Sequence, residues 1–388
     1  MMRVIVQPSG GVMTRGTGKG GGSAAPRSVD VARLAGVSQK TVSRVFNGEP
    51  YVSDDVRRRV LAAAEELGYR LNNAARALAS GRTRSIGVVT LGTALYGPAT
   101  LLVGIERVVR DTGYALRVVN TVEGEPGGIS KAIGTLLDQG VDGVVISEPV
   151  DPVDGDAGAD GAEAPEGAPL RVDVPVLVFA APSPPLAAST VLTAGGGADR
   201  MARAATEHLL NLGHTTVHHL AGPQRWYAAR DRLEGWRAAL AAHGRDEPRI
   251  VEGDWSAASG YAVGRELASD PEVTAVFAAN DDMAIGLIRA LGEAGRRVPE
   301  DVSVVGFDDT PVSGFVTPPL TTVRQPFDAV AEDGLRRLVH AIENPLSAPL
   351  PGSDTPVELV VRSSTGAPVR PGHPVGPTGT APTPANRP

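Results

Sequence analysis

The sequence contains no cysteine among its 388 residues. This absence excludes a disulfide framework and thiolate metal sites, and it is typical of a protein kept in a reducing cytoplasm. No apolar run is long enough to span a bilayer, and no charged-then-apolar leader of the kind that directs export is found. We therefore expect a cytoplasmic protein that has no membrane partner.

The motifs of enzymes and metal sites are lacking as well. There is no nucleophile elbow, no His-Glu-x-x-His, and no Gly-x-Gly-x-x-Gly after a predicted strand. Residues 16–20 resemble a phosphate-binding loop but lack the serine or threonine after the lysine, and no strand precedes them. His218 and His219 are adjacent on a predicted strand, so they point to opposite faces and do not share a metal. We predict no catalytic residue, no cofactor and no metal, and hence no enzyme.

Positive charge is concentrated near the amino terminus. The formal net charge is −7, but residues 27–84 carry eleven lysine and arginine residues against six acidic ones, a balance of +5. Residues 1–26 add +3, so the rest of the chain carries −15. A basic head on an acidic body is typical of a protein that binds nucleic acid with its head while its body stays away from the phosphates.

The basic segment begins with the pattern of two short helices joined by a three-residue turn. Gly36-Val37-Ser38 interrupts the first helical run, and the Ser38 hydroxyl is suited to cap the second helix. The residues expected to face inward are Val31, Leu34, Ala35, Val42 and Val45. The residues left on the outer face of the second helix are Gln39, Lys40, Ser43 and Arg44. The pattern predicts a helix-turn-helix, which places its second helix in the major groove of DNA.

A third, longer helix is predicted between Ser53 and Gly68. Ser53 is its expected cap, Asp54 and Asp55 suit the positive end of the helix dipole, and Gly68 stops it. Its buried stripe consists of Val56, Val60, Ala63, Ala64 and Leu67. The three helices together predict a small all-α domain.

This segment closely resembles the DNA-binding headpiece of the lactose-repressor (LacI/GalR) family of bacterial transcription regulators. The matching residues are Asp30-Val31-Ala32, Ala35-Gly36-Val37-Ser38, Thr41-Val42-Ser43-Arg44-Val45, Asn47-Gly48, Val52-Ser53, Arg59-Val60 and Leu67-Gly68-Tyr69. Many matches at fixed spacing make the resemblance specific. A small helical domain with a solvated basic face is the alternative.

The resemblance implies which headpiece residues contact DNA. It makes Gln39 and Lys40 the specificity-setting pair and Arg44 a more general base contact. These side chains are chemically suited to the roles, because glutamine can pair with adenine while lysine and arginine can donate to guanine. The DNA-contacting set is completed by Ser38, Thr41, Ser43, Asn47 and Tyr69, expected to bond phosphates or to pack.

Residues 71–83 resemble the hinge of the family. There the hinge folds on the operator and inserts an apolar side chain into the minor groove, a position that Leu78 occupies here. Asn72–Ala79 has helix-forming composition but is too short to be stable alone, and an ordinary linker is the alternative. The chain has Leu71 where the family usually has proline, so the approach to the hinge is expected to be looser.

From Ser85 onward, predicted strands alternate with predicted helices. The strands are expected at 86–90, 114–119, 141–147, 174–180, 216–220, 275–279 and 302–306. The helices are expected at 98–111, 129–139, 199–211, 230–242, 259–268 and 282–294. Alternation of this kind predicts parallel sheets with helices on both faces. Two series in tandem predict two similar subdomains with a cleft between them.

The resemblance covers this core to about residue 365 and implies a fold like that of periplasmic sugar-binding proteins. The predicted fold class is an N-terminal all-α helix-turn-helix headpiece plus an α/β periplasmic-binding-protein-like core of two doubly wound parallel-sheet subdomains. On this resemblance the chain crosses between subdomains three times, so that helix 327–342 returns to the first and strand 357–362 to the second.

The predicted boundaries follow from these patterns. They are 1–26 for a disordered N-terminal extension, 27–70 for the headpiece, 71–83 for the hinge, 84–365 for the core and 366–388 for a disordered tail. Within the core, subdomain one is expected at about 84–213 and 326–344, and subdomain two at about 214–324 and 356–362. Residues 150–173, dense in Gly, Ala, Asp, Glu and Pro, are expected to form a flexible surface insertion.

Polar and aromatic residues follow several predicted strands of the core. Crevices of open α/β sheets form at strand carboxyl ends, and sugar sites combine planar hydrogen-bonding groups with aromatic rings. The residues that resemble the family's ligand set by position are Arg232, Asp254, Trp255, Asn280, Asp308 and Gln325, with Tyr96 and Trp226 as weaker candidates. Family members often have an aspartate where this chain reads Thr193-Ala-Gly-Gly-Gly197, so one ligand carboxylate is expected to be missing.

These expectations describe a ligand-responsive transcription regulator, by default a repressor. We expect it to bind a palindromic operator as a homodimer, because two headpieces related by a twofold axis require two half-sites. A mono- or disaccharide effector would set its affinity for DNA through the closure of the core. A sugar-binding receptor without a regulatory role is the alternative, and an α/β enzyme would need a catalytic constellation that the sequence lacks.

Overall fold

The computed structural model describes residues 26–46, 49, 51–69, 81–122, 125, 127–148, 150, 170–180 and 186–368. The chain divides into two compact units, residues 1–80 and 81–388. No helix among the described residues is long and apolar enough to cross a membrane.

The first unit contains three helices packed around a small apolar core. Helix α1 is Ser28–Ala35, α2 is Gln39–Phe46 and α3 is Asp54–Glu66. The buried residues of the core are Val31, Ala32, Ala35, Val42, Val45, Val60, Ala63 and Ala64. The predicted arrangement is confirmed, except that Val56 and Leu67 are only partly buried and that Leu34 is 47% exposed. Ala32 faces inward instead, because the inward face of this short helix is centred between positions 31, 32 and 35.

Helices α2 and α3 begin just after the serines, and α1 ends at the glycine, that the sequence predicted. Gly36 ends α1 at φ 65°, a left-handed conformation that favours glycine. Ser38 Oγ accepts a hydrogen bond from the Thr41 backbone N–H at 3.1 Å, and Ser53 Oγ accepts one from that of Val56 at 3.5 Å. The predicted caps of α2 and α3 are therefore confirmed.

The second unit alternates strands and helices along the chain. Its helices are α4 (Tyr96–Asp111), α5 (Gly128–Asp138), α6 (Ala198–Asn211), α7 (Tyr227–Ala242), α8 (Ala257–Ala268), α9 (Asp281–Glu293) and α10 (Phe327–Glu343). Its strands are β1 (Ser85–Leu91), β2 (Ala115–Thr121), β3 (Gly143–Ile146), β4 (Leu170–Val172), β5 (Val176–Phe179), β6 (Leu186–Ala188), β7 (Val191–Ala194), β8 (His218–Ala221), β9 (Val251–Glu252), β10 (Ala275–Ala278), β11 (Ser303–Asp308), β12 (Thr321–Arg324) and β13 (Glu358–Val360).

The first sheet has five parallel strands in the order β2-β1-β3-β5-β7. Successive residues of a strand face opposite sides of a sheet, and both sides are buried here. On β1, Ile86 and Val88 pack in the cluster that includes α4 and α10, whereas Val89 packs in the cluster that includes α5. Helices therefore cover both faces, as the doubly wound prediction requires.

The second sheet has six strands in the order β13-β12-β11-β10-β8-β9. All of its strand pairs are parallel except β12 with the edge strand β13. On β10, Val276 packs in the cluster that includes α8 and α9, and Phe277 packs in the cluster that includes α6 and α7. The predicted class of two doubly wound parallel sheets is confirmed, with one antiparallel strand at an edge.

The chain passes between the two sheets three times. Helix α10 packs on the first sheet with β5 and β7, and β13 then pairs with β12 of the second, as predicted. The first crossing lies earlier than the predicted boundary at residue 213. Helix α6 packs on the second sheet, because its apolar face, with Met201 and Leu209, is buried against Trp236 and Phe277. The first subdomain therefore ends before Ala198.

Two predicted flexible segments have ordered ends. Val150 is buried and forms an isolated antiparallel bridge with Trp226, and residues 170–172 form β4. At the predicted start of the tail, the Gly366 carbonyl accepts a hydrogen bond from Ser303 Oγ at 3.0 Å. Apolar burial and backbone hydrogen bonds therefore extend the core beyond the limits that composition alone suggested.

Candidate functional site

Helix α2 carries an exposed polar face in the first unit. Its exposed residues at the predicted DNA-contact positions are Gln39, Lys40, Ser43 and Arg44. Gln39 Nε2 donates to Ser28 Oγ at 2.8 Å, and Arg44 Nε lies 3.3 Å from Glu49 Oε2. Contacts between exposed groups of this kind contribute little to stability. A nucleic acid could therefore replace them at small cost.

The other predicted DNA-contact residues differ in their surroundings. Ser38 and Thr41 join their hydroxyls at 2.8 Å at the start of α2, where they also shape its first turn. Tyr69 is partly buried, and its ring centroid lies 5.6 Å from that of Phe46, so it has a packing role. Asn47 and Leu78 lie outside the described residues.

A cavity in the second unit brings together seven of the eight predicted ligand residues. They are Tyr96, Trp226, Arg232, Trp255, Asn280, Asp308 and Gln325. Asn280, Asp308 and Gln325 lie at or just beyond the carboxyl ends of β10, β11 and β12, where crevices of open α/β sheets form. Tyr96 begins α4 on the first sheet, so both subdomains contribute to the cavity wall.

A buried ion pair forms the polar floor of this cavity. Asp308 Oδ1 accepts a hydrogen bond from Gln325 Nε2 at 2.6 Å and lies 3.6 Å from a terminal nitrogen of Arg232. Arg232 also donates to the Ala279 carbonyl. Burial raises the pKa of Asp308 to about 7, against the opposing effect of Arg232. Burial likewise lowers the pKa of Arg232, although an arginine remains charged at neutral pH.

Asn280 joins this floor to an aromatic wall, which is formed by Trp255 and Trp226. Its Oδ1 caps α9 by accepting from the Met283 N–H at 2.9 Å, and its Nδ2 donates to the Trp255 carbonyl at 2.9 Å. The Trp255 ring meets that of Trp226 edge-on, with centroids 5.6 Å apart and planes at 73°. Two indole rings beside a charged pair match the combination of apolar and directional groups that a pyranose requires.

Backbone strain is concentrated at the cavity. The described non-glycine residues with positive φ include Trp255 at 73°, Asp308 at 111° and Ala180 at 69°, and all three line it. Such conformations cost free energy and cluster at binding sites, where the surrounding structure enforces them. The described residues contain no group of histidine, aspartate and glutamate side chains that could hold a metal ion.

The structure does not bring Asp254 into the cavity. Its carboxylate oxygen Oδ1 accepts hydrogen bonds from the backbone N–H of Ser256 at 2.9 Å and from the Ser256 hydroxyl, just before α8. These bonds lower the pKa of Asp254, which is exposed. Asp254 thus stabilises the turn into α8, while its neighbour Trp255 points inward.

Several cavity residues escaped prediction from the sequence. They include Ser147, Glu148, Phe179, Gly195, Met201 and Phe327. Glu148 follows the buried strand β3, so the same rule that identified Asn280 could have found it. Gly195 lies in the segment where the sequence comparison expected a carboxylate to be missing, and it lines the cavity.

Each of the two units contains a match to a known protein family. Residues 29–72 match the family described as bacterial regulatory proteins, lacI family. Residues 206–365 match the periplasmic binding protein-like domain. The lactose operon repressor of Escherichia coli K12 is 37% identical over 341 residues, which cover 87% of this chain and 90% of that protein.

Solved structures agree with this relationship over most of the chain. The lac repressor dimer bound to operator and the anti-inducer ONPF has a TM-score of 0.70 at 35% identity, covering 87% of this chain and 98% of that one. A complex of the transcriptional regulator CelR with cellobiose has a TM-score of 0.60 at 32% identity, covering 87% of this chain and 99% of that one.

Proposed function

Because the chain belongs to the lacI family of bacterial regulatory proteins, we propose that it is a transcriptional repressor whose affinity for operator DNA is controlled by a small sugar. The observation that carries the proposal is the assembly of an aromatic wall and a buried Arg232–Asp308 pair in one cavity, in a chain that also has a basic helix-turn-helix. The proposal assigns no catalytic step to either unit.

The headpiece supports DNA binding through helix α2. Gln39, Lys40 and Arg44 are exposed on the outer face of α2. The opposite, apolar face of the same helix packs in the core of the first unit. In our proposal Gln39 and Lys40 read base edges in the major groove and Arg44 adds a general base contact. The proposed phosphate or packing contacts are Ser38, Thr41, Ser43, Asn47 and Tyr69, and Leu78 of the hinge is the proposed minor-groove wedge.

The cavity supports a neutral sugar as the effector. Asp308, Gln325 and Arg232 provide an acceptor and donors in a fixed arrangement, as the directional recognition of hydroxyl groups requires. Trp255 and Trp226 provide apolar faces for the ring of a sugar. A mono- or disaccharide offers both kinds of surface, and the CelR structure holds the disaccharide cellobiose.

The location of the cavity between two subdomains suggests how the sugar acts. A ligand that touches both walls favours one closure of the core over another, and this bias is the coupling free energy of an allosteric site. The chain that leads from residue 80 into the core is tied to the first subdomain by Asp142, whose carboxylate accepts from the Thr83 N–H at 3.0 Å and the Arg84 N–H at 2.7 Å. Movement of that subdomain would therefore be passed to the segment before it.

We propose that the protein acts as a homodimer on a palindromic operator, with residues 71–83 as the hinge. The test is selection of binding sites from random duplexes by the full-length protein, repeated with lactose, cellobiose, galactose and glucose (the sugar panel). The selected sequence should be palindromic, and one sugar should change its occupancy. If no duplex is enriched over random sequence under any of these conditions, the proposed function is wrong.

A further inference from the structure

Unpaired polar atoms are concentrated around the cavity. Among the described residues, five buried side-chain nitrogen or oxygen atoms have no hydrogen-bond partner. Three of them belong to residues that line the cavity, namely Arg232 Nε, Trp255 Nε1 and Glu148 Oε1. Buried polar groups in folded proteins are nearly always paired, so a bound ligand or an ordered water has to supply the partners of these three atoms.

Glu148 is the member of this set that comes from the first subdomain. It follows β3 and is held rigidly through one oxygen only. Its Oε2 accepts hydrogen bonds from Ser147 Oγ at 2.5 Å, Thr90 Oγ1 at 3.1 Å and the Leu91 N–H at 3.4 Å. Because these three donors all bind Oε2, Oε1 is the carboxylate oxygen that has no partner among the described residues.

The two carboxylates of the described lining have different surroundings. Asp308 has Arg232 and Gln325 as partners, whereas Glu148 forms no ion pair with any described residue. Burial raises the pKa of Glu148, opposed by the hydrogen bonds from its neighbours. With one arginine against two carboxylates, the described lining has no surplus positive charge for an anionic ligand. A hydroxyl group, which can donate one hydrogen bond without bringing charge, fits this position.

We propose that Glu148 determines ligand specificity: its Oε1 accepts a hydrogen bond from one hydroxyl of the bound sugar, and its carboxylate excludes sugars that carry a phosphate or an acid group. This inference rests on the proposed sugar-binding function. It also gives the first-subdomain wall of the cavity a carboxylate, which residues 195–197 cannot provide because all three are glycine.

The test is calorimetric titration of the full-length protein with the sugar panel, glucose 6-phosphate and galacturonate. Glu148→Leu should weaken binding of the preferred neutral sugar by about 10- to 100-fold, the usual effect of losing a hydrogen bond to a charged group. Glu148→Gln keeps the shape without the charge, so it should narrow the preference for neutral over anionic sugars. Glu106→Leu, on α4 and outside the cavity lining, is the matched control and should leave the affinity unchanged.

Monodeoxy forms of the preferred sugar separate direct contact from a merely structural role. For one deoxy position, Glu148→Leu should cause no further loss of affinity, because the hydroxyl that meets Oε1 is already absent. If the losses are additive at every position and Glu148→Gln leaves the neutral-to-anionic preference unchanged, Glu148 does not touch the sugar and the inference is wrong. If the wild-type protein binds none of these sugars, the proposed function itself fails. Should Glu148→Leu not fold, Glu148→Gln carries both measurements.

Discussion

The indole of Trp255 lies directly against the backbone of Gly222. A Cβ atom at position 222 would lie 2.2 Å from Cη2 of the ring, well inside van der Waals contact. Trp255 itself has φ 73°, and its carbonyl accepts a hydrogen bond from the Asn280 side-chain amide. The orientation of the main aromatic wall is therefore set by a glycine, an amide and a strained backbone together.

Replacing Gly222 with alanine should displace the Trp255 ring. Because an added methyl group cannot fit, we expect a loss of about 1–3 kcal/mol in the free energy of unfolding, as is usual for overpacked sites. Sugar affinity should fall at least about tenfold, since each tenfold corresponds to about 1.4 kcal/mol of lost contact. Titration calorimetry with the preferred member of the sugar panel measures this loss.

Gly292→Ala is the matched control for this substitution. Gly292 lies on α9 and is exposed, and a Cβ atom added there would have no atom within 4 Å other than those of its own helix. Alanine there should raise stability by about 0.5–1 kcal/mol and leave sugar affinity unchanged. Equal sugar affinities for Gly222→Ala and the wild type would show that the observed ring position is not needed for binding.

Asp254 and Trp255 are neighbours in sequence with different expected roles. Asp254→Ala removes the acceptor of two hydrogen bonds from Ser256, so we expect a loss of about 1 kcal/mol of stability, the usual net contribution of a hydrogen bond. Sugar affinity should not change, because Asp254 does not line the cavity. Thermal unfolding and calorimetry on the same preparation separate the two effects. A tenfold drop in affinity with unchanged stability would return Asp254 to the ligand set.

Arg44 and Arg58 provide a matched pair in the headpiece. Both are exposed and each pairs with an acidic residue, Arg44 with Glu49 and Arg58 with Asp55, but only Arg44 lies on α2. Arg44→Ala should weaken binding to the selected operator by about 1–3 kcal/mol, the usual cost of a lost base contact. Arg58→Ala should weaken it only slightly. Fluorescence anisotropy at one salt concentration provides the comparison, and equal losses would contradict the assignment of α2 as the reading helix.

Where apolar periodicity and capping residues agreed, the sequence was sufficient to predict the structure. The three headpiece helices and the α/β alternation were predictable in this way, whereas the return of α10 and β13 to their sheets was implied by the family resemblance. Strand β12 was missed because it reads Thr-Thr-Val-Arg, with little apolar signal. Its threonines can be buried because hydrogen bonds satisfy their hydroxyl groups. Thr322 Oγ1, for example, donates to Asp281 Oδ1 at 2.5 Å. A partner remote in sequence makes this strand possible, and no local pattern reveals it.

The composition of the ligand cavity shows the same limit. The rule that polar residues collect at strand ends, with the family resemblance, predicted Asn280, Asp308 and Gln325. It could not separate Asp254 from Trp255, because which of two adjacent side chains turns inward depends on the positive φ at 255. It also gave no account of Phe179 and Phe327, whose apolar side chains look like ordinary core residues until the two subdomains meet.

We expect Asp308 to make the stability of the core depend on pH. Its pKa in the folded protein, about 7, lies well above that of an exposed aspartate near 4. A folded state that binds a proton more tightly than the unfolded state is stabilised at low pH, so this contribution is lost as pH rises from about 4 to about 7. Relative to Asp308→Asn, the wild type should therefore become less stable across this range by up to about 4 kcal/mol, and the difference should be constant above it.

The measurement is denaturant unfolding of both proteins at a series of pH values. Tryptophan fluorescence reports on the second unit, because all three tryptophans, Trp226, Trp236 and Trp255, are buried in it. Subtraction of the variant removes most contributions from other groups, including His219, whose pKa burial lowers to about 4. Asp281, whose pKa is also raised by burial, repels Asp308 and would ionise more readily in the variant. A wild-type-minus-variant difference that does not vary between pH 4 and pH 8 would mean that Arg232 keeps Asp308 ionised throughout, and that the cavity floor is a permanent ion pair.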